Sequence, residues 1–285
     1  MSSFPLFPAV AVRRPVASVA SNSARVFECL STLPRLAEVT PASQLTARPT
    51  PEVVSSGVRE LDALTGGLPR GCLTEVCGSV SSGRTSLLLA VLAAATQRQE
   101  ACALVDVSDA FDPASAAMAA VNFASLLWIR CSAGQPTAER HKNKAHSASR
   151  AEDNVSQALR ATDLLLQSGG FGLVIVDLGD VPLKFARRIP LTSWFRFQRA
   201  IEHTPTVLVV ITQISCAQTC AALLLKVQAK KLLAVSCQPS ALKMPPHAEL
   251  LSDRQIETEI LRSRIPRKPA QSAIAAFSTN TIRAG

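Results

Sequence analysis

The stretch Gly78-Ser-Val-Ser-Ser-Gly-Arg-Thr-Ser86 has residue types and spacing suited to holding a phosphate. A glycine-rich turn between a strand and a helix aims successive backbone N–H groups at phosphate oxygens, and the positive end of the helix dipole adds to the attraction. Gly78 and Gly83 stand at the spacing such turns use, and Ser79, Val80, Ser81 and Ser82 fill the loop between them. Thr85 offers the hydroxyl that would hold Mg²⁺, and Ser86 follows it into the helix. Arg84 departs from the pattern, because a lysine ordinarily sets a compact ammonium between the outer phosphates there. Arginine keeps the charge but is bulkier and planar, with a different hydrogen-bonding fork. ATP or ADP with Mg²⁺ is the expected ligand, held weakly and aligned poorly for transfer.

A second chemistry-bearing feature is GLVIVDLGD, in which a buried apolar strand ends at Asp177. A carboxylate at such a strand end, opposite a phosphate loop, is where a magnesium-linked water is held. Thr85 and Asp177 are therefore the metal candidates. Many strands end in Asp, so the pairing with the loop carries the specificity.

These groups must be held by a sheet. Apolar runs LTEVCG, ACALVDV, SLLWIRC, GLVIVDL and TVLVVITQ are short and rich in β-branched residues, as in parallel strands covered on both faces. Helical stretches SLLLAVLAAATQRQ, PASAAMAAV, NVSQALRATDLLLQS and SWFRFQRAIEH lie between them. Strand alternating with helix predicts a doubly wound, mostly parallel α/β core over 54–265. LLLKVQ, KLLAVSC and IETEILRSRI read as closing strands. Residues 1–23 read as a disordered tail, 24–53 as a helix and linker, 132–150 as a basic surface loop that also allows a nucleic-acid contact, and 266–285 as a flexible basic tail.

Composition narrows the classes. With 47 % hydrophobic residues most of the chain can fold, whereas 4 % aromatics and no Tyr leave few rings for stacking on bases. The net charge of +9 suits a polyanionic partner and equally serves solubility. Eight cysteines lie mostly inside apolar runs, as reduced core residues of a cytoplasmic protein do, and Cys216 and Cys220 lack a second pair at zinc-site spacing. The N-terminal stretch does not have the order of a signal peptide, and no run is long enough to span a bilayer, so no membrane association is expected.

With both motifs in place, SSGVRELDALTGGLPRGCLTEVCGSVSSGRTSLLL resembles the opening of the RecA recombinase core. The likeness runs from about residue 55 to 215 and implies a RecA-like P-loop fold. ACALVDVSDAFDP resembles the recombinase strand with the catalytic acid, and VLVVITQIS the strand ending in the nucleotide-sensing glutamine, which places Gln213 at that position. In the recombinase a glutamate two residues after the aspartate activates water; here Ser108 follows Asp106-Val107 and cannot act as a base. Asp112 is kept, but Ser115 replaces the tyrosine that stacks on adenine. The stretches that form DNA-binding loops are also shorter.

A second group is more similar. DVPLKFARRIPLTSWFRFQRAIEHTPTVLVVIT, SCAQTCAALLLKVQ and ILRSR resemble the ImuA family of damage-induced (SOS) mutagenesis accessory proteins. That resemblance implies translesion synthesis beside an inactive Y-family polymerase homologue and an error-prone replicative-type polymerase, with RecA and weak DNA binding as further contacts. Two other readings stay open: a DNA-stimulated ATPase of recombination in which Asp106 or Asp109 replaces the glutamate, and a regulator of recombinase filament ends. Arg262 and Arg264 match the position of two lysines that cross a subunit interface in the recombinase, while a solvent-facing role explains them equally; the oligomeric state is open. Arg187, Arg188, Arg196 and Arg199, interleaved with Trp194, Phe195 and Phe197, read as a partly exposed partner surface.

Overall fold

Alternation along the strands divides the apolar residues between two cores. The computed structural model describes residues 25, 26, 28, 50–131, 144–229, 254–264 and 274–279. Residues 1–49 are a unit separate from 50–285; within it Arg25, Val26 and Glu28 are helical. The larger unit begins with β1 (Val53–Val54), α1 (Arg59–Thr65) and β2 (Leu68–Pro69), in which β1 and β2 pair antiparallel. Then follow β3 (Cys72–Cys77), α2 (Arg84–Gln97), β4 (Cys102–Asp106), α3 (Pro113–Met118), β5 (Leu126–Arg130), α4 (Lys144–Ser168), β6 (Leu173–Asp177), α5 (Leu183–Ala186), α6 (Leu191–Ile201), β7 (Val207–Thr212), β8 (Ala221–Ala229), β9 (Arg254–Ser263) and β10 (Ile274–Thr279).

Among the described residues eight strands make one sheet in the order β10-β9-β8-β3-β7-β6-β4-β5. From β8 to β5 every neighbour is parallel, and β9 and β10 add on antiparallel. Successive side chains on a strand face opposite ways. Ala103, Val105, Val174, Val176, Leu208 and Val210 accordingly pack with residues of α4, α5 and α6. Leu104, Leu173, Ile175, Val207, Val209 and Ile211 pack with residues of α1 and α2. The doubly wound α/β core read from the sequence is the observed one.

Two boundaries differ from expectation. Lys144–Ser168 is a single helix, so α4 begins inside the stretch read as a loop. Its first turns, KAHSASR, hold the helix formers Lys, Ala and Arg without proline or glycine but lack an apolar period to announce them. Ile274–Thr279, inside the expected flexible tail, pairs along β9 and buries Phe277. KLLAVSC and most of the N-terminal helix and tail lie outside the described residues.

Parallel pairing puts all the chemistry on one edge. Cys77 is level with Thr212, Asp106 with Asp177, and Asp177 with Ile211, so the segments leaving β3, β4, β6 and β7 emerge side by side.

Candidate functional site

The loop after β3 has the shape of a phosphate cradle. Gly78 N–H donates to the Thr212 carbonyl at 3.2 Å, and Ser82 N–H to the Ser79 carbonyl at 3.1 Å. Ser81 and Gly83 take positive φ, 62° and 99°. Gly83 gives α2 no side-chain cap, so the first N–H groups of a 14-residue helix have no acceptor from a capping side chain. Ser79, Val80, Ser81 and Thr85 are exposed at the mouth, while the buried Ser82 hydroxyl has no partner among the described residues. Open amides and an orphaned hydroxyl fit an anion.

Glycine is required where strands press on the loop. A Cβ at Gly78 would stand 2.4 Å from the Val227 carbonyl of β8 and 2.5 Å from Ser82 Oγ. A Cβ at Gly83 would stand 2.4 Å from Ile256 Cδ1 of β9. The loop is thus seated on the antiparallel side of the sheet.

Arg84 is tied to the turn that follows β6. It is 7 % exposed, and its Nη1 donates to the Gly179 carbonyl at 2.9 Å, just beyond β6. Nη2 lies 4.0 Å from the exposed Asp180 carboxylate, too long and too solvated to add much. Gly179 is held from its other side too, its N–H donating to Asp177 Oδ1 at 2.8 Å. Gln213 Nε2 reaches the Val181 carbonyl of the same turn at a long 3.5 Å. Arg84, Asp177 and Gln213 therefore converge on residues 178–181.

Burial pushes Asp177 up to about 6. The Gly179 N–H opposes that shift, the Asp106 and Asp180 carboxylates add to it, and Arg84 opposes it in turn. Among the described residues no three or more His, Cys, Asp or Glu are grouped so as to hold a metal ion.

The other carboxylates near the strand ends are engaged. Asp106 accepts from Ala110 N–H, Phe111 N–H and Trp128 Nε1 at 3.1, 3.0 and 3.3 Å, which folds the chain after β4 back onto its strand. Asp109 accepts from Arg130 Nε and Nη2, at 2.6 and 2.8 Å. Asp112 caps α3, accepting from Ala114 N–H, Ser115 N–H and the Ser115 hydroxyl, so the residue in the tyrosine position serves the cap. Arg262 donates to the Gln218 carbonyl of its own chain, and Arg264 is exposed.

One residue escaped the sequence reading. Glu75, fully buried in β3, accepts from Cys216 N–H at 2.5 Å, Ser215 Oγ at 3.0 Å, Ala217 N–H at 3.3 Å and Thr212 Oγ1 at 3.4 Å. Burial raises its pKa, and these four bonds favour its charge. It pins the segment after Gln213 beneath the strand that launches the phosphate loop. A glutamate inside the apolar run LTEVC was the available signal, since a buried carboxylate must find donors.

The RecA N-terminal domain family model matches residues 44–149. Protein RecA of Ectopseudomonas oleovorans is 32 % identical over 179 residues, covering 57 % of this chain and 45 % of that protein. Protein RecA of Wigglesworthia glossinidia brevipalpis is also 32 % identical, covering 57 % and 48 %, and that of Rickettsia canadensis (strain McKiel) is 31 % identical, covering 57 % and 46 %. The chain spans a little under half the length of these relatives. The core is RecA-like, and the matches support a RecA-like family.

Proposed function

We propose that this chain is a RecA-like accessory protein of DNA repair and damage tolerance, of the ImuA kind, with a nucleotide loop that binds without efficient turnover. The observation that carries the reading is the bond from Arg84 to the Gly179 carbonyl. A side chain that would neutralise the outer phosphates is spent on the Gly179 carbonyl, while the backbone cradle behind it stays open.

In this reading Gly78 to Ser86 hold the phosphates of ATP or ADP through their amides, and Thr85 and Asp177 hold Mg²⁺, which would neutralise phosphate charge. Gln213 and Arg84 sense occupancy through the 178–181 turn. Among the described residues the candidate bases are engaged: Asp106 is committed to two amides and an indole and Asp109 to Arg130, while Ser108 has no basic group. That engagement argues against the recombination ATPase. Ser115 offers no ring on which adenine could stack, and its hydroxyl is paired with Asp112.

The partners proposed are a Y-family polymerase homologue and an error-prone replicative-type polymerase in translesion synthesis, with RecA and weak DNA binding as further contacts, in the cytoplasm. Support comes from the RecA-like core together with the ImuA-like stretches. Among the described residues no helix is long and apolar enough to cross a membrane. The test is affinity capture from DNA-damaged cells with wild-type chain: recovery of a Y-family homologue or of the recombinase supports the proposal, and recovery of neither argues strongly against it.

A further inference from the structure

The face of α6 that looks away from the sheet is apolar along its middle and cationic along its margins. Helical spacing brings Leu191, Phe195 and Arg199 into one line, and Thr192 and Arg196 into the next. On the opposite side Trp194, Phe197 and Ile201 are buried in the core, so the helix has its packing without the outer line. Phe195 is 48 % exposed and Leu191 38 % exposed. Arg196 Nε donates to Asp163 Oδ1 at 2.8 Å, which sets the turn of α4 carrying Leu164 beside the turn carrying Phe195. Leu164 is 67 % exposed, the lone large apolar residue on the outer side of that helix between the exposed Arg160 and Gln167.

Cations border this ridge. Arg187 and Arg188 lead into α6 and Arg199 closes it, all exposed and in no ion pair with another described residue. Arg196 shows the preference of the site, since it already holds a carboxylate. Arginine presents a planar fork that matches carboxylates in two bonds, which suits a protein partner. A phosphodiester backbone would leave Leu191 and Leu164 in water, and Phe195 is the lone exposed ring of α6 on which a base could stack.

From this juxtaposition we infer that the α4–α6 face is a docking surface for an acidic amphipathic helix of a partner protein. Its apolar residues, at helical spacing, lie on Leu164, Leu191 and Phe195, and its carboxylates pair with Arg188 and Arg199. The partner is recognised by that chemistry, and the phosphate loop takes no part in it.

The test is selection of a displayed library of random peptides on the full chain, with counter-selection on the Phe195→Asp variant. The enriched peptides are expected to carry Asp or Glu beside apolar residues spaced by three and four. Their affinity should fall about tenfold or more in Leu191→Asp, a loss of the size seen when a central interface residue is removed. It should fall several-fold in the doubly substituted Arg188→Glu, Arg199→Glu chain and on raising salt. These side chains are exposed, and an unchanged circular-dichroism melt verifies each fold. Enriched peptides that bind Leu191→Asp as well as wild type, or that lack acidic residues, overturn the inference, as does the absence of any enrichment. A single-stranded oligonucleotide bound through Arg188 and Arg199 but indifferent to Phe195→Asp would reassign the face to nucleic acid.

Discussion

Arg84 and Gly179 are joined across the space between the phosphate loop and the end of β6, guanidinium to carbonyl, at 2.9 Å. The bond makes the loop's cation part of the protein's own structure. A Cβ at Gly179 would lie 2.9 Å from Asp177 Oδ1 and 3.1 Å from Arg84 Nη1, so the turn is gripped from both sides.

Replacing Arg84 therefore separates stability from ligand affinity. Arg84→Lys loses a buried bond from a charged donor, a cost of about 1.5–3 kcal/mol. The compact ammonium is then free to reach a phosphate. The expected outcome is a lower urea midpoint together with tighter binding of a fluorescent ATP analogue in Mg²⁺. A variant that lost both stability and nucleotide would show that Arg84 already serves the phosphate.

Asp177 gives a pH signature. Its folded value of about 6 lies above the ordinary 3.8, so folding favours the protonated form. The associated stability is fully present below pH 3.8 and is lost as pH rises through 6. Asp177→Asn, which still accepts from Gly179 N–H, should stabilise the chain above pH 7 by up to about 3 kcal/mol and leave it unchanged near pH 3.5. Chemical unfolding of both chains at the two pH values reads the difference directly; an equal gain at both would dissociate it from ionisation.

Gly83 and Ile256 should be coupled. Gly83→Ala meets both a positive φ of 99° and the Ile256 side chain, and is expected to cost about 2–4 kcal/mol. In an Ile256→Ala background the steric part vanishes and the backbone strain remains, so the double-mutant cycle should show about 1 kcal/mol or more of coupling. Strict additivity would mean β9 does not press on the loop.

Glu75 should reveal itself by what it leaves behind. Glu75→Ala strands the buried Cys216 and Ala217 amides and should cost about 2–4 kcal/mol, with faster hydrogen exchange at 215–217. Glu75→Gln retains an acceptor and should keep most of the protection. If alanine and glutamine behave alike, the carboxylate is not what holds that segment.

The sheet was legible because buried parallel strands write continuous β-branched runs, and LVIVD and VLVVIT could not be mistaken for a solvated face. Gly78 and Gly83 were legible because nothing larger fits beneath Val227 and Ile256. The destination of Arg84 was not, since the sequence states its charge and the acceptor lies 95 residues away on another strand end. Glu75 was hidden for the same reason: its donors lie at the end of β7 and in the segment after it. The start of α4 and the strand β10 were missed because one lacks an apolar period and the other is recognisable only once β9 offers an edge.

The most direct measurement of the central claim is nucleotide binding and phosphate release on one preparation of wild-type chain, with and without single-stranded DNA. Weak saturable binding of ATP or ADP in Mg²⁺ and no DNA-stimulated phosphate release are expected. Steady turnover stimulated by DNA and abolished in Asp177→Asn would contradict it.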